Sequence, residues 1–588
     1  MIENIKKKGE ILFEKEWGRW SVSLVVTMIF FMLLYMESSI VFFINDDENI
    51  MYSLAGNYTY GIPADHSFIN AILSLFLQGL YKIFPMISWY GFFHVAMLFL
   101  SMVICGKSIL KIVHNNEGKF WQGIFLFLTV SLVVYTYPIV LMQFTTTSAL
   151  SGVAAIVLII CIDMSTDSKL VISLDSVLSV IMILMCYMHR KNSGYILFCF
   201  LLLSVIYKIF TSKEKMKNAV IHGLLYTISV MVLVLGVTFI SQNVIRNSAD
   251  WLEFYEYDNA RYKMTDYPHD TIYSNPALYE NIGWDESLYK IAGSPLWFFM
   301  DDRINVETFN IISHTGYYNY DNFDLRLIIS RAVDLLRNEI IARGLTTFFV
   351  IIWLIASAVA FSRKKWLDVL MLLCTAAGAF LMCFYLCWKG RFILRAFQVV
   401  FFPTIIITMI MLVKNINLKY DLQKAIIFAS LIAAIAYGFD SFEVIKSLAE
   451  DRNVKSQRTL LIEQYAIENP ENMYIYDTSL TFRYMPFVTY TESFPSNLMF
   501  WGGMGWKSPT YYKQLEMNNI KEMDSSVFLN ENTYHISYDN FWVYDGMNMI
   551  NLLENYLDNV YGNVDITEVD KITDEIKVYS IKRNETGL

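Results

Sequence analysis

Asp46, Asp47 and Glu48 stand side by side directly after an apolar run from Trp20 to Ile44. Adjacent carboxylates raise one another's pKa, which can hold one of them near the range where it works as a base. At the mouth of a membrane span such a cluster is costly to place and hard to explain by packing. Asn57-Tyr58-Thr59-Tyr60-Gly61 and Asp65-His66 follow in the same loop, and Glu48 and His66 are read as substrate contacts beside the two aspartates. Two basic clusters come later: His189-Arg190-Lys191, and Lys389-Gly390-Arg391 with Arg395 one helical turn on. At i and i+4, Arg391 and Arg395 fall on one helix face and can point at a single anion. Arg261, Asp266, His269 and Asp301-Asp302-Arg303 are further candidates in a polar stretch. The run Trp501-Gly502-Gly503-Met504-Gly505-Trp506 fits either a sugar-stacking turn or a packed one, and matches no nucleotide-binding loop.

The elements that must position these residues are membrane helices. The 588 residues are 55% hydrophobic, 16% aromatic and 17% charged, with a mean hydropathy of +0.39, which excludes an ordinary soluble enzyme. Trp20 to Ile44 is too long for a cleavable signal peptide and lacks a small-x-small site, so it reads as a retained signal anchor. Further apolar stretches run at 87-105, 120-137, 139-162, 170-187, 193-210, 219-241, 346-362, 367-388, 392-413 and 425-440, making eleven spans. All seven cysteines lie within or at the ends of apolar segments, without disulfide or zinc spacing. The net charge of -9 places lysines in short loops and acids in two long polar stretches, and argues against nucleic-acid binding.

Ser67 to Phe84 is apolar enough for a twelfth span, but Asn70, Ser74, Gln78 and Lys82 recur every four positions in one stripe. A striped helix ending at Pro85 suits the interface plane. The distribution of cations favours that reading, because a span there would flip every later loop. With the stretch lying in the interface, the inner segments carry nineteen Lys and Arg and the short outer segments six. The N-terminus is then cytoplasmic, and the first loop (45-86), the loop 242-345 and the C-terminal 441-588 face outward. Arg190, Lys191, Lys389, Arg391 and Arg395 are exceptions to the bias, as a phosphate-bearing lipid would require.

The predicted domains are a transmembrane unit, 1-440, and an extracytoplasmic α/β domain, 441-588. The loop 242-345 is dense in Tyr, Asp and Asn, with turn signals at Asp266-Tyr267-Pro268 and Gly283-Trp284-Asp285, and predicts an ordered region of short helices. In the tail, 472-477, 533-537 and 575-581 alternate as strands do, with helical patterns at 453-468 and 547-560.

This layout resembles the GT-C superfamily of polytopic glycosyltransferases: a signal-anchor helix, Asp46-Asp47 with Glu48 opening the first external loop, an interfacial helix, many further spans and an outward C-terminal domain. The resemblance implies a sugar taken from a polyprenyl-phosphate donor and given, with inversion, to a cell-surface glycan or glycolipid. Asp46 or Asp47 would be the base, and the outward cations would stabilise the leaving phosphate. Some relatives use a divalent cation, Mg or Mn, and that point stays open. Two other readings remain: a surface-polysaccharide polymerase or ligase acting through Arg261 and Arg303, and a lipid-linked-sugar flippase without chemistry.

Overall fold

A computed structural model describes residues 10–56, 68–163, 168–212, 216–245, 249–293, 296–316, 324–416, 421–480, 484–487, 494–502, 505–539, 541–544 and 547–584. The first half runs α1 (Glu16–Glu37), β1 (Val41–Phe42), α2 (Asn45–Ala55), α3 (Ala71–Ile83), α4 (Trp89–Asn115), α5 (Phe120–Val140) and β2 (Leu141–Met142). It continues through α6 (Phe144–Cys161), α7 (Lys169–His189), α8 (Lys191–Thr211) and α9 (Met216–Asn243). The polar loop folds as α10 (Ala249–Asp266), α11 (Pro276–Asn281), α12 (Glu286–Ala292), α13 (Val306–His314) and α14 (Leu325–Asn338). Then come α15 (Ile340–Ser362), α16 (Trp366–Trp388), α17 (Leu394–Asn415) and α18 (Asp421–Glu468). The tail is β3 (Met473–Tyr476), β4 (Leu498–Phe500), α19 (Pro509–Met517), β5 (Thr533–Tyr538), β6 (Trp542–Tyr544), β7 (Met547–Asn548), α20 (Met549–Tyr561), β8 (Val564–Lys571) and β9 (Ile576–Arg583).

Among the described residues ten helices are long and apolar enough to cross a membrane: α1, α4 to α9, and α15 to α17. The chain is a multi-pass membrane protein. The eleventh apolar stretch opens α18, where most side chains before residue 440 lie outside the described residues. α6 and α17 are buried on nearly every side and form the centre of the bundle. α1, α9 and α16 sit at the periphery, with exposed residues such as Met32, Leu233 and Phe380 that only lipid would cover. α3 has 13 residues, about 20 Å long and too short to cross. Ser74 and Gln78 of its polar stripe are buried and Lys82, at its end, is exposed, as are Leu75, Phe76 and Ile83. That is an apolar outer face for the edge of a bilayer.

The sidedness of the connections can be read from the packing. β1 pairs in parallel with β2, Val41 opposite Leu141 and Phe42 opposite Met142, so the exit of α1 and the exit of α5 lie on one side. The α7–α8 and α16–α17 junctions line the same cavity as α2, on that same side. Crossing by α3 would break this arrangement.

α18 is one helix of 48 residues, about 70 Å long, that carries the chain from the membrane bundle into the tail, so position 440/441 falls inside it. The tail sheet is mixed and five-stranded, in the order β4-β3-β5-β9-β8, with β3 parallel to β4 and β5, and β9 antiparallel to β5 and β8. Alternation along β3 feeds two cores: Met473 and Ile475 pack with α20 and the loop helices, and Tyr474 and Tyr476 pack with Ile462 and Ala466 of α18. The loop and the tail therefore share one hydrophobic core. Asp301 ties them further: the Tyr556 hydroxyl of the tail donates to it at 2.6 Å, while within the loop Arg303 pairs with it (2.7 Å) and with Asp285 (3.0 Å).

Candidate functional site

The three acids open α2, where their charge favours the helix N-terminus, and the following turns bury Ile50, Met51 and Leu54. This geometry separates their fates. Asp46 lines a cavity of about 1020 Å³ that lies between the span ends and the layer formed by α10 and α19. Asp47 points the other way and is fully buried. Its Oδ1 accepts from the Tyr90 hydroxyl (3.0 Å) and from the backbone N–H of Phe144 (2.9 Å), the first residue of α6, and lies 3.4 Å from His94 Nε2. His94 Nδ1 is in turn 2.9 Å from Thr147 Oγ1. Asp47 Oδ2 has no hydrogen-bond partner among the described residues. Glu48 is buried and does not line the cavity, because the helix turns it into the protein.

Burial pushes the Asp46 carboxyl above the ordinary range; the Arg395 guanidinium opposes the shift and Asp47 adds to it. Burial pushes Asp47 up to about 8, against the hydrogen bonds from Tyr90 and Phe144. The pair is thus inequivalent: one carboxyl meets the cavity and the other is enclosed behind it.

Three arginines from two junctions meet Asp46 in the cavity. Arg190 links α7 and α8 and stacks over the Phe144 ring at 4.7 Å. Burial and the neighbouring Arg395 lower its pKa to about 10. Arg395 Nη1 lies 3.9 Å from Asp46 Oδ2. Arg391 Nη2 pairs with Asp266 Oδ2 at 2.8 Å and its guanidinium lies over the Tyr267 ring. The expectation that Arg391 and Arg395 share a helix face is corrected: Gly390, at φ +77°, ends α16, and α17 begins only at Leu394. A side chain at Gly390 would strike Pro268, so the glycine lets the α16–α17 junction press against the Asp266-Tyr267-Pro268 turn. The two arginines still converge, one from the connection and one from the first helical turn. α8 and α17 both begin without a side-chain cap, so the orphan N–H groups and dipoles of two long helices add to the arginine charge. An anion fits this end of the cavity.

Other candidates fall elsewhere. Lys191 is exposed and rests near the Tyr195 ring, and Lys389 is half-buried; neither lines the cavity, because the chain reverses at each junction and sends alternate side chains outward. His66 lies outside the described residues. Arg261 lines the cavity but is held by Asp258 of its own helix, at 2.5 Å. Burial alone would lower its pKa; Asp258 more than offsets this and raises it. His269 and Arg303 do not line the cavity. Trp501 is fully buried, donates its indole N–H to Leu296 O and stacks on His535, whereas Trp506 reaches the cavity wall.

A divalent cation does not fit the donors described. No group of three or more His, Cys, Asp or Glu side chains assembles among the described residues, and Asp46, Asp258 and Asp266 each lie against an arginine.

Several lining residues carried no sequence signal of their own. Trp251, Tyr255, Trp297, Tyr511 and Gln514 are brought together by the shared core of loop and tail; the density of Tyr, Asp and Asn in 242-345 hinted at the first three, and nothing in the tail singled out Tyr511 or Gln514. No family model matches the chain, and no curated protein is similar to it in sequence. Two solved chains are similar in overall arrangement, both ArnT from Cupriavidus metallidurans, one a crystal structure bound to undecaprenyl phosphate and the other in the apo state. They are 11% and 12% identical to this chain over 95% of its length and 97% of theirs, with TM-scores of 0.41 and 0.36.

Proposed function

We propose that the protein is a membrane glycosyltransferase that moves a sugar from a polyprenyl-phosphate donor to a glycan or glycolipid acceptor on the outer face, with Asp46 as general base. The observation that carries this reading is the meeting of Asp46, a carboxylate from the start of α2, with Arg190, Arg391 and Arg395 at the span ends of a single cavity of about 1020 Å³. Asp46 takes the proton of the acceptor hydroxyl as that oxygen attacks the anomeric carbon from the face opposite the leaving group. The bond to the lipid phosphate breaks, inverting the carbon, and the three arginines stabilise the charge that grows on the phosphate. Asp47, enclosed behind Asp46 and tied to the start of α6, fixes the first turn of α2 and so orients the base.

Incubating the purified protein with polyprenyl-phosphate sugars and following release of the lipid phosphate tests the reading. Release that depends on Asp46 is expected; none with any donor sinks it. Movement of intact donor across vesicles without release would favour a flippase. The polymerase or ligase reading keeps one support, since Arg261 lines the cavity, but Arg303 is held away by Asp301 and Asp285. Transfer that survives Asp46→Asn but is lost in Arg261→Ala would favour it.

A further inference from the structure

The cavity has two chemically different ends. The charged end is built by span junctions. The other is walled by α10, by α19 and by the segment around Trp297, all outside the membrane helices. Among its described lining residues the whole cavity counts twelve aromatic side chains against two aliphatic ones, Leu498 and Met499. An acyl chain or an apolar peptide segment would be met by aliphatic surface. Aromatic faces interleaved with Asn259, Thr510 and Gln514 suit a ligand with apolar ring faces and a rim of hydroxyls.

Two features mark this wall as more than core packing. Trp297 holds φ +51°, a strained conformation for a bulky side chain. It is kept there by its neighbours: Phe298 bridges to Gly502, and the Trp297 carbonyl fills the space a side chain at Gly502 would need. The buried Trp297 indole N–H has no hydrogen-bond partner among the described residues, although the side chain lines the cavity. That leaves an unanswered donor on an aromatic wall. On α10, Trp251 and Tyr255 stack 6.2 Å apart and line the cavity without belonging to any of the hydrophobic cores. Two stacked rings at a cavity wall, outside the three hydrophobic cores, present aromatic surface to a ligand.

We infer that Trp251, Tyr255, Trp297, Trp506 and Tyr511 form a carbohydrate subsite that receives the acceptor as a glycan, bound by its sugar faces rather than by a lipid portion. The inference rests on the sugar-transfer reading and sharpens it. The donor, anchored in the bilayer, takes the arginine end at the span junctions, and the water-borne acceptor enters over α10 and α19. Its hydroxyl meets Asp46 where the two ends join.

The test uses the full-length protein in nanodiscs and a panel of neutral gluco-, galacto-, manno- and N-acetylhexosamine oligosaccharides, read by tryptophan fluorescence and by calorimetry. At least one oligosaccharide is expected to bind and to speed release of lipid phosphate from a polyprenyl-phosphate sugar. Trp251→Ala and Tyr255→Ala each weaken that binding at least tenfold while the thermal unfolding midpoint stays at the parent value. Trp506 also belongs to the core shared by loop and tail, so Trp506→Ala weakens binding and lowers the midpoint as well, and Trp506→Tyr restores most of the affinity. If no oligosaccharide binds, or if the variants bind as the parent does, the subsite is refuted. The two proposals fail separately. Asp46-dependent release of lipid phosphate to water, with no response to any oligosaccharide, leaves the transfer reading standing and removes the subsite. Tight oligosaccharide binding without release from any donor does the reverse.

Discussion

The backbone N–H of Phe144 donates to Asp47 Oδ1 at 2.9 Å across 97 positions of sequence. That bond joins the first turn of α2 to the first residue of α6, the most buried helix start in the bundle, and replaces the side-chain cap that α6 lacks. A carboxyl oxygen at a helix N-terminus answers a backbone N–H that has no partner within the helix. Asp47 therefore sets the position of α2, and α2 sets the position of Asp46.

The two aspartates should accordingly fail in different ways. Asp46→Asn removes the proton acceptor and is expected to lower the rate of lipid-phosphate release by about 10²- to 10⁴-fold with donor affinity little changed. Asp47→Asn keeps an oxygen for Tyr90 and Phe144, so a loss of tenfold or less is expected. Equal losses in the two variants would contradict the division of roles.

The pH profile follows from the same geometry. Burial raises the Asp46 pKa, and Arg395 is the first influence that lowers it again. A base must be ionised, so the rate rises with pH on a limb set by Asp46, at higher pH than an ordinary carboxylate would give. In Arg395→Gln the opposing influence is gone, the pKa rises further, and the limb moves to higher pH. A limb that moves to lower pH, or stays in place, would show that Asp46 is not the group being titrated.

How far the site was legible from sequence depends on the reach of each signal. The aspartate pair and the basic residues at span ends stand out because charge is expensive next to apolar segments, and that expense is local to the chain. The strands Met473–Tyr476 and Ile576–Arg583 are legible because their side chains alternate between two cores, and Thr533–Tyr538 because alternate residues, Tyr534, Ile536 and Tyr538, join one core while Thr533, His535 and Ser537 face the other way. β4 has three residues, too few to alternate visibly, and β8, Val-Asp-Ile-Thr-Glu-Val-Asp-Lys, is a charged edge strand that reads as a polar loop. The break at Gly390 is a matter of one backbone torsion, and the burial of Glu48 a matter of helix phase; neither leaves a mark on composition. The aromatic wall is assembled by residues more than 200 positions apart, such as Trp297 and Trp506, and no local pattern announces it.

Arg391 and Asp266 offer a test of the anion end. On the proposed reading, their ion pair at 2.8 Å would compete with the lipid phosphate for the same guanidinium. Arg391→Ala is expected to weaken binding of a short polyprenyl phosphate about tenfold to a hundredfold, the range for charge-assisted hydrogen bonds. Asp266→Asn frees the arginine and is expected to tighten it several-fold. In the double variant the gain from Asp266→Asn should vanish, a coupling that calorimetry on the four proteins measures directly.

Stability against pH isolates Asp47 from chemistry altogether. Its carboxyl titrates near 8 when folded, chiefly because of burial, whereas an unfolded aspartate titrates at about 3.9. Between these values the folded state holds a proton that the unfolded state has released, so the contribution of this group to stability is complete below about pH 4 and is lost as pH rises toward 8. Asp47→Asn removes the titration and keeps the side-chain oxygen that Tyr90 and Phe144 address. The variant should therefore melt close to the parent at pH 5 and increasingly above it as pH approaches 8.5, by several degrees in matched detergent. A difference that stays constant from pH 5 to 8.5 would mean that Asp47 keeps one charge state throughout, and a difference that shrinks would mean that the buried carboxylate is stabilised in its ionised form by the N-terminus of α6.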